Sequence, residues 1–185
     1  FLAVPMFVLM AALLDRSGIA VDLFDAMKKV GRKVHGGVAV QTLLVAVVLA
    51  SMSGVIGGET VLLGILALPQ MLRLGYDRKL AIGTTAAGGA LGTMLPPSIV
   101  LIIYGLTASV SIGDLFKASF LPAFMLATFY IIYVLIRAKL NPALAPIPSA
   151  QELLEDEAKN VNYLKALFFP LLTVGIVLGS IYTGV

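Results

Sequence analysis

The stretch LASMSGVIGGET, Leu49–Thr60, interrupts a strongly apolar run with small polar residues and a single acid. The apolar arms beside it, GGVAVQTLLVAVVLA and VLLGILALPQML, contain 15 and 12 residues. At about 1.5 Å per residue these arms reach only about 18–23 Å, which is short of the ~30 Å hydrocarbon core of a bilayer. The stretch therefore predicts a re-entrant helical hairpin over residues 36–72 whose tip turns inside the membrane.

Composition supports the membrane setting. The chain is 59% hydrophobic and only 12% charged, whereas soluble domains carry about a quarter of charged residues. We therefore expect an all-α integral membrane protein that lies in the lipid bilayer and has no nucleic-acid partner. The chain has no cysteine and one histidine, which excludes a disulfide framework and leaves little room for a metal site of the Cys/His type. No organic cofactor is expected.

Basic residues indicate the topology, because short loops rich in Lys and Arg stay in the cytoplasm. They cluster at residues 16–33, 73–79 and 137–165, and Lys117 stands alone between the last two clusters. One crossing over residues 78–110 and a transmembrane helix over residues 115–138 satisfy this pattern. The first crossing contains GGALGTMLPPS, residues 88–98. Because proline removes a backbone donor and disfavours helix just before it, we expect two half-helices there.

The remaining segments are assigned from pattern alone. Residues 19–34 alternate apolar and charged positions at helical spacing, which predicts an amphipathic helix in the membrane interface. Residues 140–163 read as a cytoplasmic linker with prolines and acids. Residues 164–185 begin another span, so we interpret the chain as an internal piece of a longer protein.

The two polar breaks have a common physical consequence. Irregular backbone at membrane depth is tolerated where protein buries it or water reaches it. A broken helix exposes carbonyl groups at one end and N–H groups at the other, and secondary transporters build cation and substrate sites from such ends. Glu59 has two open interpretations, as a functional intramembrane acid or as a cap for the returning helix. GGALG lacks the strand-to-helix context of a dinucleotide fingerprint.

The segments LASMSG, ALPQMLRLGYDRKLA, AAGGALGTMLPPSIVLIIYG and VSIGDLFKASFLP resemble the large membrane subunit, DctM type, of tripartite ATP-independent periplasmic (TRAP) transporters. This resemblance implies an elevator-type transporter half, with residues 1–139 as the first transport repeat. It also implies sodium coupling, a small membrane subunit as partner, and a periplasmic solute-binding protein that delivers a carboxylate. The location would be the bacterial or archaeal cytoplasmic (inner) membrane, with multiple spans.

Carried onto matching positions, the resemblance implies a Na⁺ site built mostly from backbone carbonyls. Its residues would be Ser51, Ser53, Gly54, Gly92, Leu95 and Pro97. The residues flanking these positions are the candidate substrate contacts: Gly57, Glu59, Thr93 and Ser98. The sequence departs from the common pattern just after the tip glycine, where Val55, Ile56 and Gly57 replace the more usual hydroxyl side chains.

The leading functional hypothesis is a permease subunit, not an enzyme, that imports an organic anion by coupling to Na⁺. One alternative is a cation-coupled transporter of related hairpin architecture that needs no binding protein. An intramembrane enzyme is a second alternative, although Ser51, Ser53 and Ser98 have no candidate base other than Glu59. A structural membrane scaffold is the third.

Overall fold

The computed structural model describes residues 18–27, 34–54 and 57–148, together with single positions outside these ranges. The described part is helical and contains no strand, which confirms the predicted all-α class. The α-helices, in chain order, are α1 Ile19–Met27, α2 Gly37–Ser53, α3 Gly58–Arg73, α4 Arg78–Ala90, α5 Ile99–Ala108 and α6 Ile112–Leu140. Short 3₁₀ helices cover Leu91–Thr93 and Pro142–Leu144. The linker beyond residue 148, residues 28–33 and all but single positions of the predicted span at 164–185 lie outside the described residues.

Helices α2 and α3 form a helical hairpin. They have 17 and 16 residues, which corresponds to about 24–26 Å at 1.5 Å per residue. Helix α2 ends because Gly54 adopts a left-handed backbone conformation, with φ of 58°, which glycine adopts without steric cost. These lengths remain below the ~30 Å hydrocarbon core. The placement of the hairpin in the membrane stays a prediction.

The base of the hairpin is held by hydrogen bonds to neighbouring loops. The hydroxyl oxygen of Tyr76 accepts from the Val38 N–H at 3.2 Å, close to the start of α2. The Gly36 N–H donates to the Ala145 oxygen at 3.2 Å, and the Asp77 N–H donates to the Leu144 oxygen at 2.9 Å. The segment that follows α6 therefore joins the hairpin base to the start of α4.

Helices α4 and α5 are the two halves of a broken helix. The Asp77 side chain caps α4 by accepting from the backbone N–H groups of Lys79 and Leu80. The helix ends in the 3₁₀ turn Leu91–Thr93, and a cis Pro96–Pro97 bond precedes the start of α5. The domain boundaries assigned from the sequence stay predictions, and the break lies inside the interval 78–110.

Helix α6 is the longest described element, with 29 residues. By length and composition it is the only helix of the described part that could cross a membrane, and 17% of its most apolar window is buried. Exposed apolar side chains follow its outer face, among them Leu121 and Phe129. A helix that is apolar and largely exposed agrees with a lipid or partner contact rather than with the core of a soluble domain.

Helix α1 packs on the hairpin. Leu23 and Phe24 are buried in the main core, and the side-chain amide of Gln41 donates to the Phe24 oxygen at 2.8 Å. The predicted amphipathic stripe extended to Val34, but Val34 lies outside α1 and is 50% exposed. The buried face of α1 therefore contacts protein.

The broken helix has a second, smaller core at its centre. It is formed by the side chains of Ala50, Leu91, Leu95, Ala123 and Ala127. Three of these are alanines, whose small side chains let helix backbones approach closely. The break is therefore wedged between α2 and α6, and its backbone conformation is set by packing on both sides.

Candidate functional site

The tip of the hairpin docks directly onto the break. The Gly54 carbonyl oxygen accepts a hydrogen bond from the Ile99 N–H at 3.2 Å. A Cβ atom added to Gly54 would overlap the carbonyl oxygen of Pro97. Ile99 is the first residue of α5, so the tip carbonyl caps one of the N–H groups that a helix start leaves without an internal partner. Two predicted cation-site residues, Gly54 and Pro97, are thus brought into contact.

The break exposes backbone carbonyl oxygens for a specific reason. In an uninterrupted helix, the N–H groups of residues 96 and 97 would bond the carbonyls of Gly92 and Thr93. Both positions are proline, which has no N–H. The Thr93 oxygen instead accepts from the Ser98 hydroxyl at 2.8 Å. Within the described residues, the carbonyl oxygens of Gly92 and Pro97 accept no hydrogen bond.

Glu59 lies against Gly92. Glu59 is only 4% exposed, and a Cβ added to Gly92 would overlap its carboxylate and lie 2.7 Å from its Cδ atom. Only glycine permits this approach. The sequence suggested Glu59 as a substrate contact or a helix cap, and the structure places its carboxylate beside the break. It also lies in the first turn of α3, where the helix dipole favours negative charge.

The other predicted cation-site residues have separate surroundings. The Ser51 hydroxyl donates to the Val48 oxygen of its own helix at 2.8 Å. Ser53 is the last residue of α2, and its side chain lies outside the described atoms. Leu95 is 1% exposed and packs its side chain into the second core, so only its backbone is available for a ligand.

The candidate substrate contacts separate into two groups. Thr93 and Ser98 lie together at the break, where the Thr93 hydroxyl donates to the Ala90 oxygen at 2.8 Å and Ser98 is fully buried. Gly57 lies at the start of α3, and an added Cβ there would meet no atom within 4 Å. Gly57 is therefore not packed against the residues of the break.

Two contacts at the site were missed by the sequence analysis. The Ile99 N–H ties the tip to α5, and a Cβ at Gly89 would overlap the Thr60 side chain. The Gly-rich run at residues 88–92 carried a signal for the second contact, because small residues mark close helix packing. No sequence signal identified the backbone bond, since any residue except proline supplies an N–H.

This arrangement suits a cation held by oxygen atoms. The described residues contain no group of three or more His, Cys, Asp or Glu side chains that could hold a metal ion. The oxygens near the break are backbone carbonyls of Gly92 and Pro97 and the carboxylate of Glu59. Carbonyl ends of broken helices can replace the hydration shell of an alkali cation, and an adjacent carboxylate adds attraction for positive charge.

Comparison with known proteins identifies the family. The family described as "Tripartite ATP-independent periplasmic transporter, DctM component" matches residues 1–185. The C4-dicarboxylate TRAP transporter large permease protein DctM of Pseudomonas aeruginosa is 34% identical, over 99% of this chain and 42% of its own length. The 2,3-diketo-L-gulonate TRAP transporter large permease protein YiaN of Escherichia coli is 32% identical, over 98% of this chain and 42% of its own length.

A third relative is the ectoine TRAP transporter large permease protein TeaC of Halomonas elongata. It is 29% identical, over the full chain and 42% of its own length. The chain thus spans about two fifths of the length of these relatives. They are named as transporter permeases and not as enzymes, which confirms the non-enzymatic assignment. With the family pattern matched from the first residue to the last, the chain belongs to the DctM component family of tripartite ATP-independent periplasmic transporters.

Proposed function

We propose that the whole protein is the permease subunit of a Na⁺-coupled TRAP-type transporter and imports an organic anion. The observation that carries this proposal is the docking of the hairpin tip on the break, where Gly54 contacts Pro97 and caps Ile99. A cation bound at this contact would stabilise it, because the cation would draw carbonyl oxygens from two helical elements toward one point. Cation binding would thereby favour one state of the hairpin over another.

The carbonyl oxygens support Na⁺ as the coupling ion. The double proline leaves the Gly92 carbonyl without its helical donor, and the Pro97 carbonyl points at the tip. We assign the cation site to Ser51, Ser53, Gly54, Gly92, Leu95 and Pro97, with most ligands from the backbone. Glu59 joins this site as a nearby negative charge rather than as a substrate contact.

The names of the relatives support a substrate class that carries a carboxylate group. They specify C4-dicarboxylates, 2,3-diketo-L-gulonate, sialic acid and ectoine. Each of these solutes carries a carboxylate group. Ser98 directly precedes α5 and its hydroxyl donates to the Thr93 oxygen, so both residues lie near the helix end whose N–H groups and positive dipole favour an anion. We propose that a substrate carboxylate approaches this end.

The family description names a three-part, periplasmic system. We propose that the other two parts are a small membrane subunit and a periplasmic solute-binding protein that hands over the anion. The permease itself would lie in the inner membrane as a multi-pass protein. The binding protein distinguishes this proposal from a hairpin transporter that collects its substrate alone.

The direct test is uptake into proteoliposomes that contain the full-length permease, with its small subunit and with binding protein outside. A panel of labelled carboxylates is supplied with an inward Na⁺ gradient or with a K⁺ gradient of the same size. We expect uptake only with Na⁺ and only with the binding protein. Uptake without Na⁺ would contradict coupling, and uptake without the binding protein would favour a hairpin transporter that needs no binding protein.

The matched pair of variants is Gly54→Ala and Gly64→Ala. An alanine at residue 54 meets the Pro97 carbonyl and requires a left-handed backbone, which costs about 1–2 kcal/mol. Gly64 lies in the same hairpin, within a helix and with open space around it. We expect Gly54→Ala to lower Na⁺-driven uptake by at least ~10-fold, equivalent to about 1.4 kcal/mol, and Gly64→Ala to leave it unchanged. Equal effects of the two variants would contradict the site assignment.

A further inference from the structure

A cavity lies between α4 and α6, away from the docked hairpin tip. Its volume is about 490 Å³, which falls within the range of small-molecule sites, about 300–1,000 Å³. Most of its lining is apolar or aromatic, with Leu80, Ala87, Phe129 and Tyr133 among the lining residues. The cavity is also open to the outside of the helix bundle through the exposed side chains of Phe129 and Tyr133, which are 59% and 58% exposed.

One end of this cavity carries two cations. Lys79 near the start of α4 and Arg137 near the end of α6 both line it. Within the described residues neither side chain forms an ion pair. Asp77 also lines this end, but its carboxylate accepts hydrogen bonds from the N–H groups of Lys79 and Leu80. The end is therefore positively charged and open to an anionic group.

The charged lining residues Asp77, Lys79 and Arg137 lie at this end, and the rest of the lining is uncharged. Along α4, residues 84 and 87 lie about 7.5 and 12 Å beyond Lys79, at 1.5 Å per residue. Along α6, residues 133 and 129 lie about 6 and 12 Å from Arg137 on the same scale. The hydrogen bond between the Asp77 N–H and the Leu144 oxygen ties the start of α4 to the segment that follows α6. The cavity thus fits an amphiphile, with the charged group at one end and a hydrocarbon chain at the other.

Thr84 provides a polar group in the middle of the cavity. Thr84 is 4% exposed, and its hydroxyl has no hydrogen-bond partner in the described part of the chain. By contrast, the hydroxyl of the adjacent Thr85 donates to the Ala81 oxygen of its own helix at 2.9 Å. A buried hydroxyl without a partner is unfavourable. Thr84 is one of the residues that line the cavity, and a rotation of its side chain would offer the buried hydroxyl to an acceptor on a bound molecule.

We propose that this cavity binds one anionic phospholipid of the cytoplasmic leaflet. The phosphate lies between Lys79 and Arg137, an ester carbonyl accepts from the Thr84 hydroxyl, and one acyl chain follows Ala87 and Phe129. Basic pockets between membrane helices on the cytoplasmic side are suited to anionic headgroups. A helix of another protein would suit this cavity less, because its backbone groups are satisfied internally and would leave Thr84 without an acceptor. The proposal depends on the membrane location and on neither Na⁺ coupling nor the substrate.

The test uses the full-length permease, purified in a neutral detergent and depleted of lipid. Phosphatidylglycerol and phosphatidylcholine with the same acyl chains are titrated separately, and binding is measured by native mass spectrometry and by the rise in Tm. We expect one phosphatidylglycerol molecule to be retained per permease at this site, with at least ~10-fold weaker binding of phosphatidylcholine, which carries no net charge. Equal binding of the two lipids would overturn the role of the cations.

A matched pair of double variants locates the site. Lys79→Gln with Arg137→Gln removes both cavity cations, while Arg78→Gln with Lys139→Gln removes the same charge from exposed neighbours on the same helices. We expect the double variant at Lys79 and Arg137 to weaken phosphatidylglycerol binding at least ~10-fold. The double variant at Arg78 and Lys139 is expected to leave the affinity within about twofold of the wild type. An equal loss of phosphatidylglycerol affinity in both double variants would show a general surface-charge effect and overturn the site. Unchanged affinity in both double variants would also overturn the site.

The Thr84→Val variant keeps the shape of the side chain and removes its hydroxyl. We expect phosphatidylglycerol binding to weaken about fivefold, the loss that corresponds to one neutral hydrogen bond. Since the cavity keeps its shape, the single-site stoichiometry is expected to be unchanged. Unchanged affinity in Thr84→Val would overturn the proposed ester contact.

Discussion

Glu59 and Gly92 define the electrostatics of the proposed cation site at the scale of single residues. The carboxylate of Glu59 lies against Gly92, so it is close to the backbone at the start of the break. Two unit charges about 5 Å apart interact with about 3 kcal/mol at an effective dielectric constant of 20. A cation at the break would therefore gain substantially from this carboxylate. The bound cation would also offset the repulsion between the negative charge of Glu59 and neighbouring carbonyl oxygens.

The first prediction concerns Glu59→Gln, which keeps the shape of the side chain and removes its charge. We expect the Na⁺ concentration for half-maximal uptake to rise at least ~10-fold, because the cation loses a nearby opposite charge. The measurement is uptake by the full-length permease as a function of Na⁺, together with the Tm of the purified protein. Asp114→Asn is the matched control, since Asp114 is 72% exposed and pairs with Lys117 at 3.7 Å.

The helix-cap interpretation of Glu59 makes the opposite prediction for the same variant. A cap in the first turn of α3 would contribute about 0.3–2 kcal/mol to folding. Its loss would lower the Tm and leave the Na⁺ dependence of uptake unchanged. That combination would contradict a role for Glu59 in cation binding.

The second prediction concerns Gly92→Ala. The added Cβ would meet the carboxylate of Glu59, which is the end of a flexible side chain and can move. We therefore expect a moderate loss of stability, about 1–3 kcal/mol from overpacking, and a weaker response of uptake to Na⁺. Gly83→Ala is the matched control, because Gly83 lies in α4, the helix that leads into the break, with open space around it. An unchanged Na⁺ response in Gly92→Ala would contradict the placement of the cation.

At the scale of elements, the positions of the breaks were predictable and their pairing was not. Glycine and proline set local backbone conformation and hydrogen bonding, so Gly54 and the Pro96–Pro97 pair indicated where helices end. The contact of Glu59 with Gly92 depends instead on how α3 is rotated against the break. That rotation is decided by packing across several helices, which single positions in the sequence do not encode.

The third prediction concerns the bond that holds the hairpin base. Tyr76→Phe removes the acceptor for the Val38 N–H and leaves a buried donor unsatisfied, which costs about 1–3 kcal/mol. We expect a lower Tm for the full-length permease near neutral pH. Tyr104→Phe is the matched control, because the Tyr104 side chain is 56% exposed. Similar losses in both variants would show that the Val38 bond contributes little.

The same residue predicts a pH dependence, which is the fourth prediction. Burial raises the pKa of Tyr76 above its ordinary value of 10.0, and the Val38 N–H opposes this shift in part. The folded state therefore holds the proton more tightly than the unfolded state. The contribution of Tyr76 to stability is complete below pH 10 and is lost as the pH rises through the folded pKa. We expect the Tm difference between wild type and Tyr76→Phe to be constant below pH 10.0 and to shrink as the pH rises above 10.0 through the folded pKa of Tyr76. A constant difference would contradict the shift.

At the scale of the whole molecule, charge distribution and hydropathy predicted a membrane protein, and the exposed apolar face of α6 agrees with it. The cavity between α4 and α6 was not predicted. Most of its lining comes from α4 and α6, with Leu43 of α2 and Leu144 beside them, and these elements are adjacent only in the fold. The basic residues Lys79 and Arg137 were visible in the sequence only as topology signals.

The re-entrant hairpin gives the fifth prediction. Single cysteines are introduced into a cysteine-free version of the full-length permease and labelled in cells with a membrane-impermeant maleimide. Arg73 and Lys139 are exposed residues at the ends of α3 and α6, and the positive-inside rule places both in the cytoplasm. Lys117 follows the broken helix and is exposed. We expect Arg73→Cys and Lys139→Cys to react only after the cytoplasmic face is opened, and Lys117→Cys to react in intact cells.

The decisive position in that experiment is the hairpin tip. Gly58 is exposed, and an added Cβ meets no atom within 4 Å, so Gly58→Cys introduces no strain. Helices of 17 and 16 residues reach about 24–26 Å, which leaves the tip inside the ~30 Å hydrocarbon core. We therefore expect Gly58→Cys to react in intact cells at least ~10-fold more slowly than Lys117→Cys. The reason is that a thiol inside the hydrocarbon core is rarely present as the reactive thiolate. Equal labelling rates would place the tip in an ordinary periplasmic loop, and α2 and α3 would then be two complete crossings.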